Sequence, residues 1–148
     1  APVNYAKSLT YYNKSAKLNC LLAQVRLGIV YERGELNRQR NPSKSIQWYI
    51  KASSSPLSFK RHPDAMVGLA RWCLTGSEGA SKHIPVPVPD RAVMWCKRAI
   101  DEFSSPDAMS FMGELCEMGL AKGRPQYWYE KAYKMGNREA GRKLGYSN

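Results

Sequence analysis

Small and apolar residues recur along this chain at helical spacing, and each recurrence ends at a glycine. The pattern Ala-x3-Leu-Gly-x5-Gly begins at Ala23 and returns, with small substitutions, at Ala65 and Ala108. A shortened version begins at Ala140. Apolar positions spaced in this way share one face of an α-helix, and glycine readily adopts the left-handed conformation that ends a helix. Each match therefore predicts a helix that closes at a tight turn.

A second pattern, Trp-Tyr-x-Lys-Ala, follows each of the first three matches. It begins at Trp48, Trp95 and Trp128, and a weaker version begins at Tyr11. The two patterns together describe a pair of helices, and successive pairs start 42, 43 and 32 residues apart. Helix pairs with periods in this range stack into a solenoid, because one pair cannot cover both of its faces. We therefore predict an all-α fold, a right-handed α-α superhelix.

The repeats predict a single domain over residues 1–148, with about three and a half helix pairs. A half repeat occupies the N-terminal end, and the last repeat is truncated. The position after the leucine is small, which lets two helices approach closely; it holds Gly28, Ala70 and Gly113. We predict that the three tryptophans of the second pattern are buried opposite these positions, because a large aromatic ring fills the space that a small residue leaves.

Taken together, the two patterns resemble the Sel-one-like repeat family, a relative of the tetratricopeptide repeats. The resemblance runs from Tyr11 to Gly145, although Cys73 and Cys116 stand where the first unit has Tyr31. It implies a non-catalytic adaptor that assembles protein complexes, with no cofactor and no small-molecule substrate. Known members include regulators of chitin synthesis in fungi and assembly factors of organelles and of the endoplasmic reticulum. A protein partner is therefore expected.

The first helices of such a stack line a groove. Positions two, six and nine residues after each starting alanine are predicted to face it. These candidate partner-binding residues are Val25, Ile29 and Glu32, then Val67, Arg71 and Leu74, then Ser110, Glu114 and Glu117. The strip changes from apolar to acidic, which suits a peptide with an apolar anchor and a basic end. The alternative is that Val25 and Val67 pack against a neighbouring helix.

The segment 77–89 interrupts the second unit. Its three prolines alternate with valine, and this spacing favours an extended backbone. We predict that three exposed side chains of the segment contact a partner: Ile84, Val86 and Val88. A stiff, extended segment loses little entropy when it docks, so such contacts are efficient. The alternative is a loop that folds back and covers its own helix pair.

The net charge of +11 favours an acidic partner. Five residues in two clusters are candidate anion contacts: Arg38, Arg40, Lys44, Lys60 and Arg61. They support an alternative function, a basic helical-repeat subunit associated with RNA or a ribonucleoprotein, including a mitochondrial one. A fungal-type activator of chitin synthesis is a further alternative. Solubility alone is the simplest explanation of the charge.

Catalytic and metal-binding signals are sparse. His62 and His83 have no second ligand at metal-binding spacing, and the four cysteines form no Cys-x-x-Cys pair. We therefore predict no catalytic residue and no metal site, and we expect buried, reduced thiols. No stretch approaches the ~20 apolar residues that span a membrane. The chain starts at Ala1 without Met or a signal peptide, so we expect a processed form or a fragment in an intracellular location, cytoplasmic or mitochondrial.

Overall fold

The computed structural model describes residues 4–146, and over that range it contains eight α-helices, one short 3-10 helix and no strand. The helices are α1 (Tyr5–Lys17), α2 (Leu21–Arg33), α3 (Pro42–Ser53), α4 (Pro63–Thr75), α5 (Pro89–Phe103), α6 (Pro106–Glu117), α7 (Pro125–Lys134) and α8 (Arg138–Lys143), with the 3-10 turn at Ser58–Lys60. The predicted all-α fold is confirmed. The first helix was expected to start at Val3, which lies outside the described residues.

Side-chain caps and prolines place the helix starts. Asn41 Oδ1 accepts from the Lys44 backbone N–H at 3.0 Å, so Asn41 caps α3. Proline stands at the start of α3 through α7, where its missing N–H costs no hydrogen bond. Asp90 lies inside the first turn of α5, where its negative charge favours the helix N-terminus.

Consecutive helices pack as pairs: α2 with α3, α4 with α5, and α6 with α7. α1 packs against α2 as a half repeat, and α8 packs against α7. The first helices of successive pairs also touch, α2 with α4 and α4 with α6. The three first helices therefore present one continuous surface.

A tyrosine ring lies between two glycines at the centre of the first two pairs. Tyr49 of α3 is fully buried, and a Cβ on Gly28 of α2 would overlap its ring. A Cβ on Gly68 of α4 would lie 2.5 Å from the other edge of the same ring. In the third pair, a Cβ on Gly113 would likewise lie 2.5 Å from the ring of Tyr129. These glycines are needed because any larger residue would displace the aromatic ring.

The prediction that the tryptophans are buried is wrong by one position. All three are half-buried, and the next residue along the helix points into the core: Tyr49, Cys96 and Tyr129. One residue turns the side chain by about 100° around the helix axis, so only one of two neighbours can face the small residue. The tryptophans lie beside this face; the guanidinium of Arg98 is 4.9 Å from the ring centre of Trp95.

The segment 77–89 folds back over its own helix pair, so the prediction that Ile84 is exposed is wrong. Ile84 is 1% exposed and belongs to the core that α4 and α5 form with α3. The Ser77 hydroxyl donates to the Ile84 carbonyl at 2.6 Å, and the Val88 N–H donates to the Cys73 carbonyl at 2.7 Å. Val88 is half-buried, whereas Val86 is 60% exposed.

Cys73, Cys96 and Cys116 are buried free thiols, as expected, but Cys20 is exposed. Burial raises the pKa of Cys96 to about 12, with smaller contributions from neighbouring Cys116 and Glu114. The Cys96 thiol donates to the Ala108 carbonyl at 2.9 Å. This thiol is therefore a protonated core group at neutral pH.

Candidate functional site

Two adjoining clefts run along α2, α4 and α6, and both are lined by Arg71 and Phe111. The first has a volume of about 280 Å³, and its other lining residues are Glu32, Arg40, Trp72, Leu74 and Thr75. The second has a volume of about 360 Å³, and its other lining residues are Arg33, Val67, Asp107, Ser110, Glu114, Asn137 and Glu139. We term the two clefts together the groove.

Six of the nine predicted groove residues line these clefts: Glu32, Val67, Arg71, Leu74, Ser110 and Glu114. Val67 and Ser110 are 4% and 5% exposed, so they form the floor of the groove and offer little contact area. Val25 is 5% exposed and packs in the core around Tyr49, which removes it from the surface.

Two further predicted positions lie beside the groove. Ile29 is half-buried and packs against the same core as Val25. Glu117 is exposed and accepts a hydrogen bond from the hydroxyl of Tyr129 at 2.6 Å. The alternative considered for the valines, packing against a neighbouring helix, therefore describes Val25 and Val67 better than partner contact does.

A half-buried polar network links three helices at the first cleft of the groove. The Tyr49 hydroxyl of α3 donates to Glu32 Oε1 of α2 at 2.6 Å. Arg71 of α4 donates from Nε to Glu32 Oε2 at 2.8 Å and from Nη2 to Oε1 at 2.9 Å. This two-point pairing of a guanidinium with a carboxylate defines its geometry closely, so Arg71 holds a definite position in the groove.

The network also determines which groups carry charge. Burial opposes ionisation of Glu32, but the hydrogen bonds and the charge of Arg71 outweigh it, so the pKa of Glu32 lies below the ordinary value of 4.5. Burial and the negative charge of Glu32 together raise the pKa of Tyr49 well above its usual range. Glu32 is therefore ionised and Tyr49 neutral at physiological pH, and Arg71 is largely neutralised by Glu32.

Three acidic side chains line the second cleft of the groove: Asp107, Glu114 and Glu139. Glu114 Oε1 lies 3.8 Å from Lys143 Nζ, and Asp107 Oδ1 accepts from Asn137 Nδ2 at 2.8 Å. Burial raises the pKa of Glu114; the charge of Lys143 opposes this shift, and Glu139 adds to it. A cationic group placed here would favour the ionised form of Glu114.

Phe111 is an apolar groove residue that the sequence pattern missed. It is half-buried and lines both clefts. The equivalent positions of the first two repeats hold Arg26 and Gly68, so no recurring residue type marks this position. Arg33, Asp107 and Glu139 were missed for a similar reason, since they lie outside the three positions chosen in each repeat.

The five candidate anion contacts do not form one surface. Arg38, Arg40 and Lys44 line a common cleft, whereas Lys60 lines a different one with Lys51. Arg61 is committed to internal contacts: its Nη2 lies 3.2 Å from Glu102 Oε2, and its Nη1 donates to the Ser55 carbonyl at 2.9 Å. A single RNA-binding track through all five residues is therefore not present.

Within residues 4–146, no three His, Cys, Asp or Glu side chains come together in a way that would hold a metal ion. His62 has a structural task, because its Nδ1 accepts from the Asp64 backbone N–H at 3.0 Å and so caps α4. In the same range, no helix combines the length and the apolar character needed to cross a membrane.

The Sel1 repeat family model matches residues 1–20, 21–56, 63–102 and 106–137. The last three matches each contain one helix pair, and the first contains α1. The chain belongs to the Sel1 repeat family. Membership confirms the predicted resemblance and the helical solenoid, and it supports a protein-binding role of the repeats.

The chain is 32% identical over 139 residues to the protein described as chitin synthase regulatory factor 4 of Schizosaccharomyces pombe, covering 94% of this chain and 20% of that protein. It is 31% identical over 137 residues to chitin synthase regulatory factor 3 of the same organism, covering 90% and 14%. It thus spans a fifth or less of these relatives. A crystal structure of a Sel1 repeat protein from Oxalobacter formigenes superposes with a TM-score of 0.62 at 25% identity, covering 94% of this chain and 98% of that one.

Proposed function

We propose that this chain is the interaction domain of a regulator of chitin synthase, and that it acts as a non-catalytic scaffold that binds a protein partner in the groove. The groove carries the proposal. The second cleft is lined by an apolar side chain, Phe111, by the basic Arg33 and by the acidic Glu114 and Glu139. Such a surface accommodates an extended segment that carries an apolar anchor and charged groups of both signs.

The relatives supply the biological setting of the proposal. Two proteins described as chitin synthase regulatory factors match nine-tenths or more of this chain, although the match covers only a small part of each of them. By contrast, neither relative is described as binding RNA, and the predicted anion contacts are spread over separate surfaces. The scaffold is therefore favoured over the ribonucleoprotein alternative.

Affinity capture with groove variants tests the proposal. The full chain is immobilised and exposed to a membrane-solubilised extract of a chitin-synthesising fungus, and captured proteins are quantified by mass spectrometry. The groove variant combines Phe111→Ser with Arg33→Glu, since Arg33 is 63% exposed and its reversal should shift stability by no more than about 0.5 kcal/mol. The matched control combines Met94→Ser with Lys97→Glu on α5, outside the groove, where both residues are exposed.

We expect a chitin synthase, or a protein bound to one, to be captured by the wild type and the control but lost with the groove variant. Melting temperatures of both variants check that each is folded. Equal capture by both variants would rule out the groove as the binding surface. If the groove captures only proteins unconnected with chitin synthase, the scaffold function is supported but its assignment to chitin synthesis is contradicted.

A further inference from the structure

Positive charge is concentrated in the first part of the chain. Residues 1–62 contain 11 Lys and Arg against 2 Asp and Glu, a net charge of +9, whereas residues 63–148 contain 12 against 10, a net charge of +2. Both carboxylates of the first part are already engaged: Glu32 with Arg71, and Glu35 with Arg26. Apart from Arg26 and Arg33, which pair with Glu35, the basic side chains of this part are therefore not neutralised by acidic residues of their own region.

Two adjoining clefts between α1 and the connector from α2 to α3 are lined by several of these basic side chains. Both are lined by Leu9, Asn13 and Arg38, and their volumes are about 490 and 610 Å³. Their basic lining residues are Lys14, Lys17, Arg38, Arg40 and Lys44. Among the residues that the structure describes, no Asp or Glu lines either cleft. We term this surface the N-terminal basic cleft; the sequence pattern had missed its two lysines on α1.

Internal contacts hold two basic groups of the cleft, those of Arg40 and Lys44, in place. The Asn41 N–H donates to the Tyr31 carbonyl at 2.8 Å, which closes the connector onto α2. Arg40 Nε donates to the Glu32 carbonyl at 2.8 Å, and in the described part of the chain its Nη groups make no further hydrogen bond. Lys44 Nζ lies 5.2 Å from the ring centre of Tyr31. An anion would therefore meet donors that are already positioned, which reduces the entropy cost of binding.

We propose that the N-terminal basic cleft binds an acidic segment of a protein partner, one rich in Asp and Glu. Carboxylates match the guanidinium groups of Arg38 and Arg40 in charge and hydrogen-bonding geometry. The inference rests on the proposed scaffold function in that it takes a protein as the partner, and it adds a second contact surface that adjoins the groove at Arg40, which lines both.

The shape and lining of the cleft disfavour other polyanions. Single-stranded nucleic acids are held by stacking on exposed aromatic faces, but Tyr31, the aromatic residue of this lining, is 8% exposed and is covered by Lys44. A lipid bilayer is flat, whereas the cleft is a depression into which headgroups would have to reach. An extended peptide can follow the depression and place its carboxylates along both clefts.

The test measures binding of a fluorescein-labelled peptide of alternating Glu and Gly to the full chain by fluorescence anisotropy. A Gln-Gly peptide of the same length is the uncharged control. An unstructured RNA oligonucleotide and vesicles of phosphatidylcholine with phosphatidylserine are measured at the same ionic strength. The cleft variant is Arg38→Glu with Lys44→Glu. The matched control is Lys97→Glu with Lys134→Glu, which changes the net charge equally at two exposed positions on α5 and α7.

We expect the Glu-Gly peptide to bind, the Gln-Gly peptide not to bind, and the cleft variant to weaken binding at least about tenfold, because two cationic groups of the cleft become anionic groups that repel the peptide. The matched control should change the affinity less than about twofold, and added salt should weaken binding because these groups are solvent-exposed. Equal losses in both variants would overturn the proposal in favour of a general charge effect. Tighter binding of RNA or of vesicles than of the acidic peptide would also overturn it.

The groove variant, Phe111→Ser with Arg33→Glu, separates the two proposals. It should leave the affinity for the Glu-Gly peptide within about twofold, because neither side chain lines the N-terminal basic cleft. If the groove variant loses the captured partners but still binds the Glu-Gly peptide, both proposed surfaces are supported. If the wild type captures partners but does not bind the peptide, the proposal for the N-terminal basic cleft is overturned and the scaffold function is unaffected.

Discussion

The second repeat differs from the first and third at one three-residue contact. In the first and third repeats a glycine faces a tyrosine whose hydroxyl donates to a glutamate: Gly28, Tyr49 and Glu32, then Gly113, Tyr129 and Glu117. The corresponding residues of the second repeat are Ala70, Cys96 and Leu74. All three positions change together because they form one contact. A methyl group takes the space of the ring, and without a tyrosine hydroxyl a buried carboxylate would lose a donor.

The second repeat also carries the longest connection between its two helices. The segment 77–89 inserts Ile84 into the core cluster that also contains Trp72 and Ala92. The comparison shows that a repeat can replace the tyrosine–glutamate hydrogen bond by apolar burial and keep the same fold. Four substitutions and one pH measurement test this view, in order of decreasing expected effect.

Replacing Tyr49 by Ala should have the largest effect, a loss of about 3–5 kcal/mol, the usual range for emptying a large buried aromatic site. Tyr49 packs against glycines of two helices, and its removal also takes a donor from Glu32. Trp48→Ala should cost less than about 2 kcal/mol, because Trp48 is only half-buried. Urea unfolding of both variants measures the difference. An equal or larger cost at Trp48 would contradict the assignment of Tyr49 as the buried ring.

Replacing Ile84 by Ala should cost about 2–4 kcal/mol, because its fully buried side chain would leave a cavity between α4 and α5. Val86→Ala, in the same segment but 60% exposed, should change stability by no more than about 0.5 kcal/mol. Thermal and urea unfolding provide the measurement. If Ile84→Ala left stability unchanged, the segment would not serve as a cover for the second repeat.

Converting Gly28 to Ala should cost about 1–3 kcal/mol, since the added methyl group would overlap the Tyr49 ring. Combining Gly28→Ala with Tyr49→Cys copies two of the three contact residues of the second repeat into the first. The double variant should cost less than the sum of the two single variants, because the methyl group then fills space that the ring has left. Simple additivity in urea unfolding would show that the two positions do not share one contact.

Replacing Glu32 by Gln should cost about 1–2 kcal/mol near neutral pH, because Arg71 would lose its charged partner in a half-buried network. Glu117→Gln, at an exposed position, should cost less than about 0.5 kcal/mol. The pKa of Glu32 is lowered on folding, so its contribution is fully present above the unfolded value of about 4.5. The difference between wild type and Glu32→Gln should shrink as pH falls below that value, and a difference that grew in acid would contradict the network.

The helices were predictable because their signals are local. The first match predicts a helix that contains Ala23 and closes at a glycine, and α2 spans Leu21–Arg33 and ends at Gly34; proline or a capping side chain marks the start of each later helix. The groove was only partly predictable. Its repeating positions identified Glu32, Arg71 and Glu114, but Phe111 has no counterpart in the other repeats, so no pattern could reveal it.

The order of the helices, their pairing and the family were determined by the sequence itself, since spacing, caps and the recurrence of two patterns depend on near neighbours along the chain. The tertiary structure alone decided which of two adjacent aromatic residues faces the core, because this depends on how each helix is rotated against its partner. It also decided that Arg71 reaches Glu32, 39 positions earlier, and that Ile84 turns inward. Such contacts join residues from different repeats, and a pattern read within one repeat contains no information about them.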